Sequence, residues 1–439
     1  MAIAKLKTRA EQTLAEQFQA GLPALPGNAA ITARRKAAYD TFERTGLPGR
    51  RIESWHYTDW RSLTADALPP LTELTDADLA TASGLSNPLA SPTSLGALLV
   101  NNAVAGITET PEGVEIVDLA EAIAAGHPLV GQIGTAFPAG ADPMVALNEA
   151  MFSGGLLVRV GKGVKLAKPS FATNPMTSGQ PAAMTVRALV VVEDDAEITI
   201  VDSLLGLDGT ATQINTVVEF VIGNNARVEY VTYNGAGDQT QVFTAVGVTM
   251  GANSTFNTLN FALGGKTVRH QVHVALKGEG ATLGVRGVGL IGGEQHVDAT
   301  LVVDHQARGC ESRELFRNVV DGSGTGVFQG KIIVRQAAQK TDGRMASNAI
   351  LLSDDASMFN KPELEIFADD VQCAHGATCG ALDDDLLFYL QARGLPRAEA
   401  EALMVQAFVG EALEFVSDET VRDKLNDVVT GWLKARAKA

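Results

Sequence analysis

The chain has 439 residues, of which 46% are hydrophobic and 20% are charged, so it can bury either several ordinary cores or one elongated, repetitive core. Its 51 acidic residues outnumber the 35 basic residues, giving a formal net charge of -16. Because nucleic acids and anionic membranes bind basic surfaces, this balance argues against both as partners.

Three cysteines cannot pair completely, so their thiols are expected to stay free in a reducing compartment. The N-terminal residues place charges every few positions and contain no apolar segment of the secretory kind. The chain also lacks an apolar run of roughly 18 residues, the length that a membrane-spanning helix needs. These features predict a cytoplasmic protein.

Residues 1–150 are predicted to form an N-terminal domain of mixed structure. Apolar residues recur at helical spacing over residues 5–46, and Pro23 and Pro26 interrupt this helical region. A polar and aromatic segment, ESWHYTDW, follows at residues 53–60. From about residue 68 onward, short strands and helices are expected to cap the next part of the chain.

Residues 151–380 are predicted to form a parallel β-helix, because short apolar alternations broken by small-residue turns continue throughout. Similar turns begin at Asp195, Asn225, Asn253 and Gly280, at spacings of 30, 28 and 27 residues, and another begins at Asp355. Such a period is typical of successive coils of a solenoid. The alternative, a β-sandwich, would have turns roughly every 8 to 12 residues.

Alternation within one strand predicts which side chains fill the coils. In HVDATLVVD, residues 296–304, the positions from Val297 to Val303 in steps of two are expected inside, whereas His296 and Asp298 are expected on an outward polar face. A surface or structural role is therefore expected for His296. A nearby polar group fits either an acid–base site or a hydrated turn: Asp304, His305, Arg308 and Glu311.

Residues 381–439 are predicted to be helical. The acids at 383–385 favour a helix start, and Arg393 with Gly394 supplies a C-terminal cation and cap. A second helix would carry an apolar stripe of Met404, Phe408, Ala412 and Phe415. Helices after a β-helix either cap its last coil or dock a partner, and the pattern leaves both open.

The segment VQCAHGATCG, residues 371–380, concentrates two of the three cysteines around a histidine. In an extended strand Cys373 and His375 point the same way, so both could meet one soft metal ion. Two ligands are too few for a structural zinc site, and the spacing to Cys379 matches no zinc pattern. Either the residues line one face of the last strand, or a second chain supplies the remaining ligands.

Residues 312–395 carry QKTDG, PELEI, ADDV-x-C-x-HGAT and FYLQARG in an order and spacing that resemble the SufB/SufD family of iron–sulfur cluster assembly proteins. The ESWHYTDW segment is similar to an element of the SufD-type branch. That branch also fits the sequence His375-Gly376-Ala377-Thr378, since SufB-type chains read HEAT there, and it fits the low cysteine count.

The resemblance implies a mainly β fold, a right-handed parallel β-helix flanked by N-terminal and C-terminal helical domains. It implies a non-catalytic scaffold that pairs with a SufB-like subunit through the β-helix, or with a second copy of itself when alone. His375 and Cys373 would face that subunit, with His375 a candidate ligand or proton relay for a transient, shared iron–sulfur cluster. A tightly bound cofactor is not expected for this chain alone.

The resemblance further implies that a SufC-like ATPase docks on the C-terminal helices, through Leu386, Phe388, Tyr389, Arg393, Met404, Phe408 and Phe415. Two alternatives stay open. A SufB-like scaffold that holds the cluster itself would need more cysteines on the β-helix. A β-helix carbohydrate-active enzyme would be secreted and would need clustered acids or bases along one outward strand stack.

Overall fold

The computed structural model describes residues 6–71, 73–91, 95–138, 140 and 142–437. Residues 1–5 and 438–439, which belong to the two predicted helical domains, lie outside the described residues. Within the described ranges the helices are α1 (Arg9–Gly21), α2 (Ala29–Thr45), α3 (Trp60–Leu63), α4 (Asp76–Gly84), α5 (Leu119–Ala124), α6 (Pro143–Met151), α7 (Asp384–Ala392), α8 (Arg397–Leu413) and α9 (Glu419–Arg436).

The strands of the described residues are β1 (Gly96–Val100), β2 (Ala103–Ile107), β3 (Val114–Asp118), β4 (Gly154–Val160), β5 (Ser170–Met176), β6 (Ala182–Val192), β7 (Glu197–Gly206), β8 (Thr212–Ile222), β9 (Arg227–Gly235), β10 (Thr240–Met250), β11 (Thr255–Ala262), β12 (Thr267–Leu276), β13 (Thr282–Ile291), β14 (His296–His305), β15 (Glu311–Val320), β16 (Thr325–Val334), β17 (Asp342–Leu351), β18 (Ser357–Ile366) and β19 (Gln372–Gly380).

From β4 onward the strands alternate between two parallel sheets. The even-numbered strands form sheet A, which ends at β18, and the odd-numbered strands form sheet B, which ends at β19. Each coil contributes one strand to each sheet, so the described strands β4 to β19 make eight coils. The predicted parallel solenoid is therefore confirmed.

The recurring turns lie at one corner of the solenoid, where the chain passes from sheet A to sheet B. Asp195, Asn225, Asn253 and Gly280 all have positive φ, between 53° and 69°, which Gly, Asn and Asp tolerate better than other residues. The amide of each donates to a carbonyl of the next coil, at 2.8 to 3.1 Å. Gly309 and Lys340 continue this column. Asp355 does not, because it lies at the opposite corner, between β17 and β18.

Strand β14 has the predicted alternation, with Val297, Leu301 and Val303 in the main core. Its outward face differs from the expectation, because Asp298 has no exposed surface and His296 is largely covered. The segment 53–60 lies over these residues and the Thr58 hydroxyl donates to Asp298. The predicted outward polar face is thus a buried contact with the N-terminal region.

The N-terminal end of the solenoid is closed by short reversed strands. Strand β3 pairs antiparallel with β4, and β2 pairs antiparallel with β1, which itself lies parallel to β5. Helices α1, α2 and α6 pack with Trp55 and Trp60 against the outer face of sheet A. Between α1 and α2 lies the predicted proline-containing break.

Helices α8 and α9 cover the outer face of sheet B. Val405, Val409, Val421 and Leu425 share one apolar cluster with outward residues of the odd strands, such as Phe261. Among the described residues, no helix is both long enough and apolar enough to cross a membrane.

Candidate functional site

Strand β19 carries Cys373 and His375 at the last coil, where only its β17 side is paired. Cys373 aligns with Gly343 of β17, and His375 aligns with Met345, which belongs to the main core. Both side chains therefore project toward the axis of the solenoid, and they point the same way, as the alternation predicted. Cys373 is half-buried and packs on the core, whereas His375 is exposed.

Gly343 leaves a gap between Cys373 and the preceding coil. A Cβ atom at this position would lie 3.7 Å from the Cys373 Sγ and 3.4 Å from the Ser312 Oγ. The Ser312 hydroxyl lies 3.0 Å from the His305 Nε2 inside the solenoid. The Gly343 position thus lies between the thiol at the open end and a buried polar pair two coils before it.

Glu314 extends this buried polar group, since it faces inward two residues beyond Ser312 on β15. Burial raises the pKa of Glu314 to about 8, and the Ser312 hydroxyl and the Arg286 guanidinium offset the effect only in part. Burial also lowers the pKa of His305 to about 4. Near pH 7 this interior group is therefore uncharged.

The interior polar group of His305, Ser312 and Glu314 was not predicted, although the sequence contains a signal for it. In ESRELFRNVV, Ser312 and Glu314 stand at the same alternating positions as Phe316, which is a core residue. An inward Phe implies inward Ser and Glu at steps of two.

The thiol of Cys373 is held in its neutral form. Burial raises its pKa, a hydrogen bond with the Gly343 backbone opposes this, and the Asp342 carboxylate raises it further. Because the thiolate is the form that binds metal, this thiol is not a preformed ligand.

Within the described ranges, no three or more His, Cys, Asp or Glu side chains are grouped closely enough to hold a metal ion. Cys373 and His375 supply at most part of a ligand set. Cys310 is buried and Cys379 is exposed.

The predicted polar cluster near residue 304 is not brought together as one site. Asp304 forms an ion pair with Arg335 at 2.8 Å and accepts from Gln306. His305 instead faces the interior toward Ser312. This part of the chain is a structural corner with a charged exterior.

The predicted docking residues separate into two groups. On α7, Phe388 is 72% exposed, Leu386 55% and Tyr389 54%, and Arg393 donates to the Tyr389 hydroxyl at 2.8 Å.

In the second group, Phe408 and Phe415 are half-buried against sheet B under two arginines. The Arg317 guanidinium lies 4.8 Å from the Phe408 ring, and Arg286 lies 4.3 Å from the Phe415 ring. Met404, on α8, is half-buried.

The segment ESWHYTDW is fixed on sheet A by a buried ion pair. The side chains of Arg269 and Asp298 are paired and have no exposed surface. The Arg269 guanidinium lies 3.9 Å from the Trp55 ring and donates to the Ser54 carbonyl at 2.6 Å. The Trp55 indole N–H donates to Asp142 at 2.9 Å. Sequence reasoning missed this contact because its partners lie more than 80 positions apart.

Two family models match the chain. The model described as "SUF system FeS cluster assembly, SufBD core domain" matches residues 175–408, which include β19, and "SufBD protein N-terminal region" matches residues 10–170. The chain belongs to the SufBD family. Cys373 and His375 thus lie within the part of the chain that the SufBD core model covers.

Proteins from several organisms are similar over most of the chain. The iron–sulfur cluster assembly protein SufD of Escherichia coli is 27% identical, with 87% of this chain and 88% of the relative covered. A SufBD family protein of Synechocystis is 28% identical, with 91% and 90% covered. The Arabidopsis thaliana protein named "ABCI7, chloroplastic" is 27% identical, with 96% and 90% covered. The similarity therefore spans both the solenoid and its flanking helices.

Proposed function

We propose that this SufBD-family chain is a non-catalytic scaffold subunit of an iron–sulfur cluster assembly complex. It works with a SufB-like subunit and a SufC-like ATPase, and it supports iron entry and the formation of a nascent cluster. The family match and the similarity to SufD proteins support the class of function, and the geometry of the last coil supports the role of the site.

The observation that carries the proposal is the open end of the solenoid. Strand β19 has an unpaired edge, and its exposed His375 and half-buried Cys373 lie beside that edge. An unpaired strand edge is a template for a strand of another chain. A SufB-like subunit seated there would bring its own ligands next to these two side chains.

In this role Cys373 and His375 form half of a site, and the cluster is cargo shared with the partner. The exposed His375 imidazole is either a ligand to the nascent cluster or a proton relay beside it. The protonated Cys373 thiol would lose its proton only when metal or a cation arrives. This arrangement suits transient holding of a cluster rather than a resident cofactor.

Helix α7 is the proposed docking surface for the SufC-like ATPase. Its exposed Leu386, Phe388 and Tyr389 form an apolar surface, which is typical of interaction sites. Arg393 orients the Tyr389 ring. Met404 would join this surface, whereas Phe408 and Phe415 would act by holding α8 in place.

The proposal includes the handedness of the β-helix, the division of the chain into three parts, the localisation and the oligomeric state. The β-helix is right-handed, as in the family, and the chain divides into an N-terminal part (1–150), the solenoid (151–380) and a C-terminal helical part (381–439). The protein works in the cytoplasm, and it forms a homodimer through the open end when the SufB-like subunit is absent.

The test is the His375→Ala variant in the complex reconstituted with both partners. We expect normal folding and complex formation but a reduced yield of cluster, measured as iron and sulfide per complex. Cys379→Ala is the matched control, because it changes another exposed residue of the same strand and should leave the yield unchanged. A wild-type cluster yield from His375→Ala would contradict the assignment of the site.

A further inference from the structure

The segment 53–60 crosses the outer face of sheet A and contacts successive coils. Trp55 stacks on Phe243 of β10, with ring centroids 5.9 Å apart. The Ser54 carbonyl accepts from Arg269 of β12 and, at 3.1 Å, from Gln329 of β16. One short segment thereby connects coils that follow each other along the solenoid axis.

The same segment also reaches the last strand of sheet A, β18. The Tyr57 ring stacks on Phe359, with centroids 5.3 Å apart and an angle of 26° between the rings. The Glu53 carboxylate forms an ion pair with the Lys361 ammonium at 3.0 Å. Phe359 and Lys361 both project outward from β18, away from the solenoid interior.

These two contacts matter because β18 belongs to the terminal coil. A strand inside a solenoid has a neighbour on each side, whereas β18 pairs only with β16. The interior adds one polar contact, in which the Ser347 hydroxyl donates to the Asn360 side chain at 2.7 Å. Met358 and Leu364 pack against the main core from the inside, and the contacts with segment 53–60 hold β18 from the outer face.

The same segment is also held by buried contacts with the middle of the solenoid. Arg269, Asp298 and Trp55 are all fully buried, and the Thr58 hydroxyl contacts both Asp298 and His296. Removing one member of a buried ion pair is strongly destabilising, so this anchor resists local opening. The segment thus connects a rigid middle of the solenoid to its less supported end.

We infer that segment 53–60 is a clasp that fixes the last coil, and that Tyr57 and Glu53 are positioning residues for β18. Since β18 continues through residues 367–371 into β19, the clasp also sets where Cys373 and His375 are presented. The link to cluster assembly rests on the proposed function, whereas the mechanical role does not.

Amide hydrogen exchange of the full-length chain tests the mechanical role. In a Tyr57→Ala, Glu53→Gln double variant, amides of residues 357–366 should exchange roughly two- to tenfold faster, the range expected for the loss of an aromatic pair. Strands β10 and β12 should keep their protection. Tyr57→Phe, which keeps the stacked ring, should restore the protection of β18 when Glu53 is retained.

Two results would overturn the inference: unchanged exchange in β18, or an equal increase in every strand, which would indicate general destabilisation.

A second measurement uses the complex with both partners, where the double variant should form fewer clusters. If β18 exchanges faster while the cluster yield stays normal, and His375→Ala still lowers that yield, the clasp has no role in assembly and the proposed function stands. A normal yield in His375→Ala contradicts the proposed site independently of the exchange result.

Discussion

The carboxyl group of Glu314 lies inside the solenoid on β15, two coils before the strand β19 that carries the candidate site. Burial raises its pKa to about 8, so the group is mostly protonated near pH 7. In the unfolded chain the same carboxyl would ionise near its ordinary value of 4.5. Between these two values the folded state binds one more proton than the unfolded state.

This difference predicts a pH-dependent loss of stability that Glu314→Gln removes. As the pH rises from about 4.5 to about 8, the wild type should lose about 1.4 kcal/mol per pH unit relative to the variant. The sign follows because a pKa raised by folding makes ionisation costly in the folded state only. Urea unfolding at pH 5 and pH 8 measures the effect.

Glu311→Gln is the matched control, because Glu311 lies on the same strand and is exposed. Comparing Glu314→Gln with Glu311→Gln separates the effect of removing a buried carboxyl group from the effect of the substitution itself. Equal pH profiles for the wild type and Glu314→Gln would show that Glu314 ionises normally.

Some of these residue positions could be predicted from the sequence, and others could not. The common direction of Cys373 and His375 follows from the two-residue period of a strand, and the same period would have found Glu314. The burial of Asp298 depends on Thr58, 240 positions earlier in the chain. The pattern within one strand does not reveal such a distant contact, so the face of β14 that carries Asp298 is predicted from the sequence to be polar and outward.

At the scale of elements, the C-terminal helices α7 and α8 differ in how they contact the solenoid, although the sequence analysis treated them together. Helix α8 lies on sheet B and uses Phe408 for that contact, whereas α7 buries Leu387 but exposes Leu386, Phe388 and Tyr389. Helical periodicity predicted the stripes but not which of them faces the solenoid, since both have the same pattern.

The exposed apolar surface of α7 and the packing of α8 on sheet B predict opposite effects for two Phe→Ala variants. Phe388→Ala should abolish or strongly weaken co-purification with the SufC-like ATPase and leave the melting temperature within about a degree of the wild type. Phe408→Ala should lower the melting temperature, because it removes the ring between α8 and Arg317. Thermal unfolding and co-purification of both variants provide the comparison.

The opposite pattern, with stability lost in Phe388→Ala and ATPase binding unchanged, would mean that α7 only supports the fold. Leu79→Ala serves as a control, since Leu79 is a partly exposed apolar residue on the distant helix α4 and should affect neither measurement.

For the whole molecule, the open edge of β19 is the largest consequence of the coil order. The Gln372 amide donates to the Thr341 carbonyl, which fixes the alternation along the strand. The backbone groups of residues 374, 376 and 378 therefore face β17, whereas those of 373, 375, 377 and 379 face the open side. The Ala377 N–H is available to a strand of a partner.

Ala377→Pro should block pairing of the solenoid with a SufB-like subunit without unfolding the chain. Proline removes only the outward N–H, and edge strands tolerate proline in that orientation. Co-purification with the SufB-like subunit measures the loss, and size-exclusion chromatography shows whether the homodimer also dissociates.

Ala377→Val keeps the N–H and is the control, so it should associate normally. If Ala377→Pro is folded and still associates like Ala377→Val, the two subunits do not pair through β19.

The two ends of the solenoid differ, since antiparallel strands of five residues lie at one end and parallel strands of nine or ten residues lie at the other. A rod with two open ends could add subunits without limit and grow into a fibre. A rod with a single adhesive end is saturated by one partner. In the proposed pairing through β19, two solenoids would meet end to end, growth would stop there, and each joint would contain the Cys373 and His375 side chains of this chain.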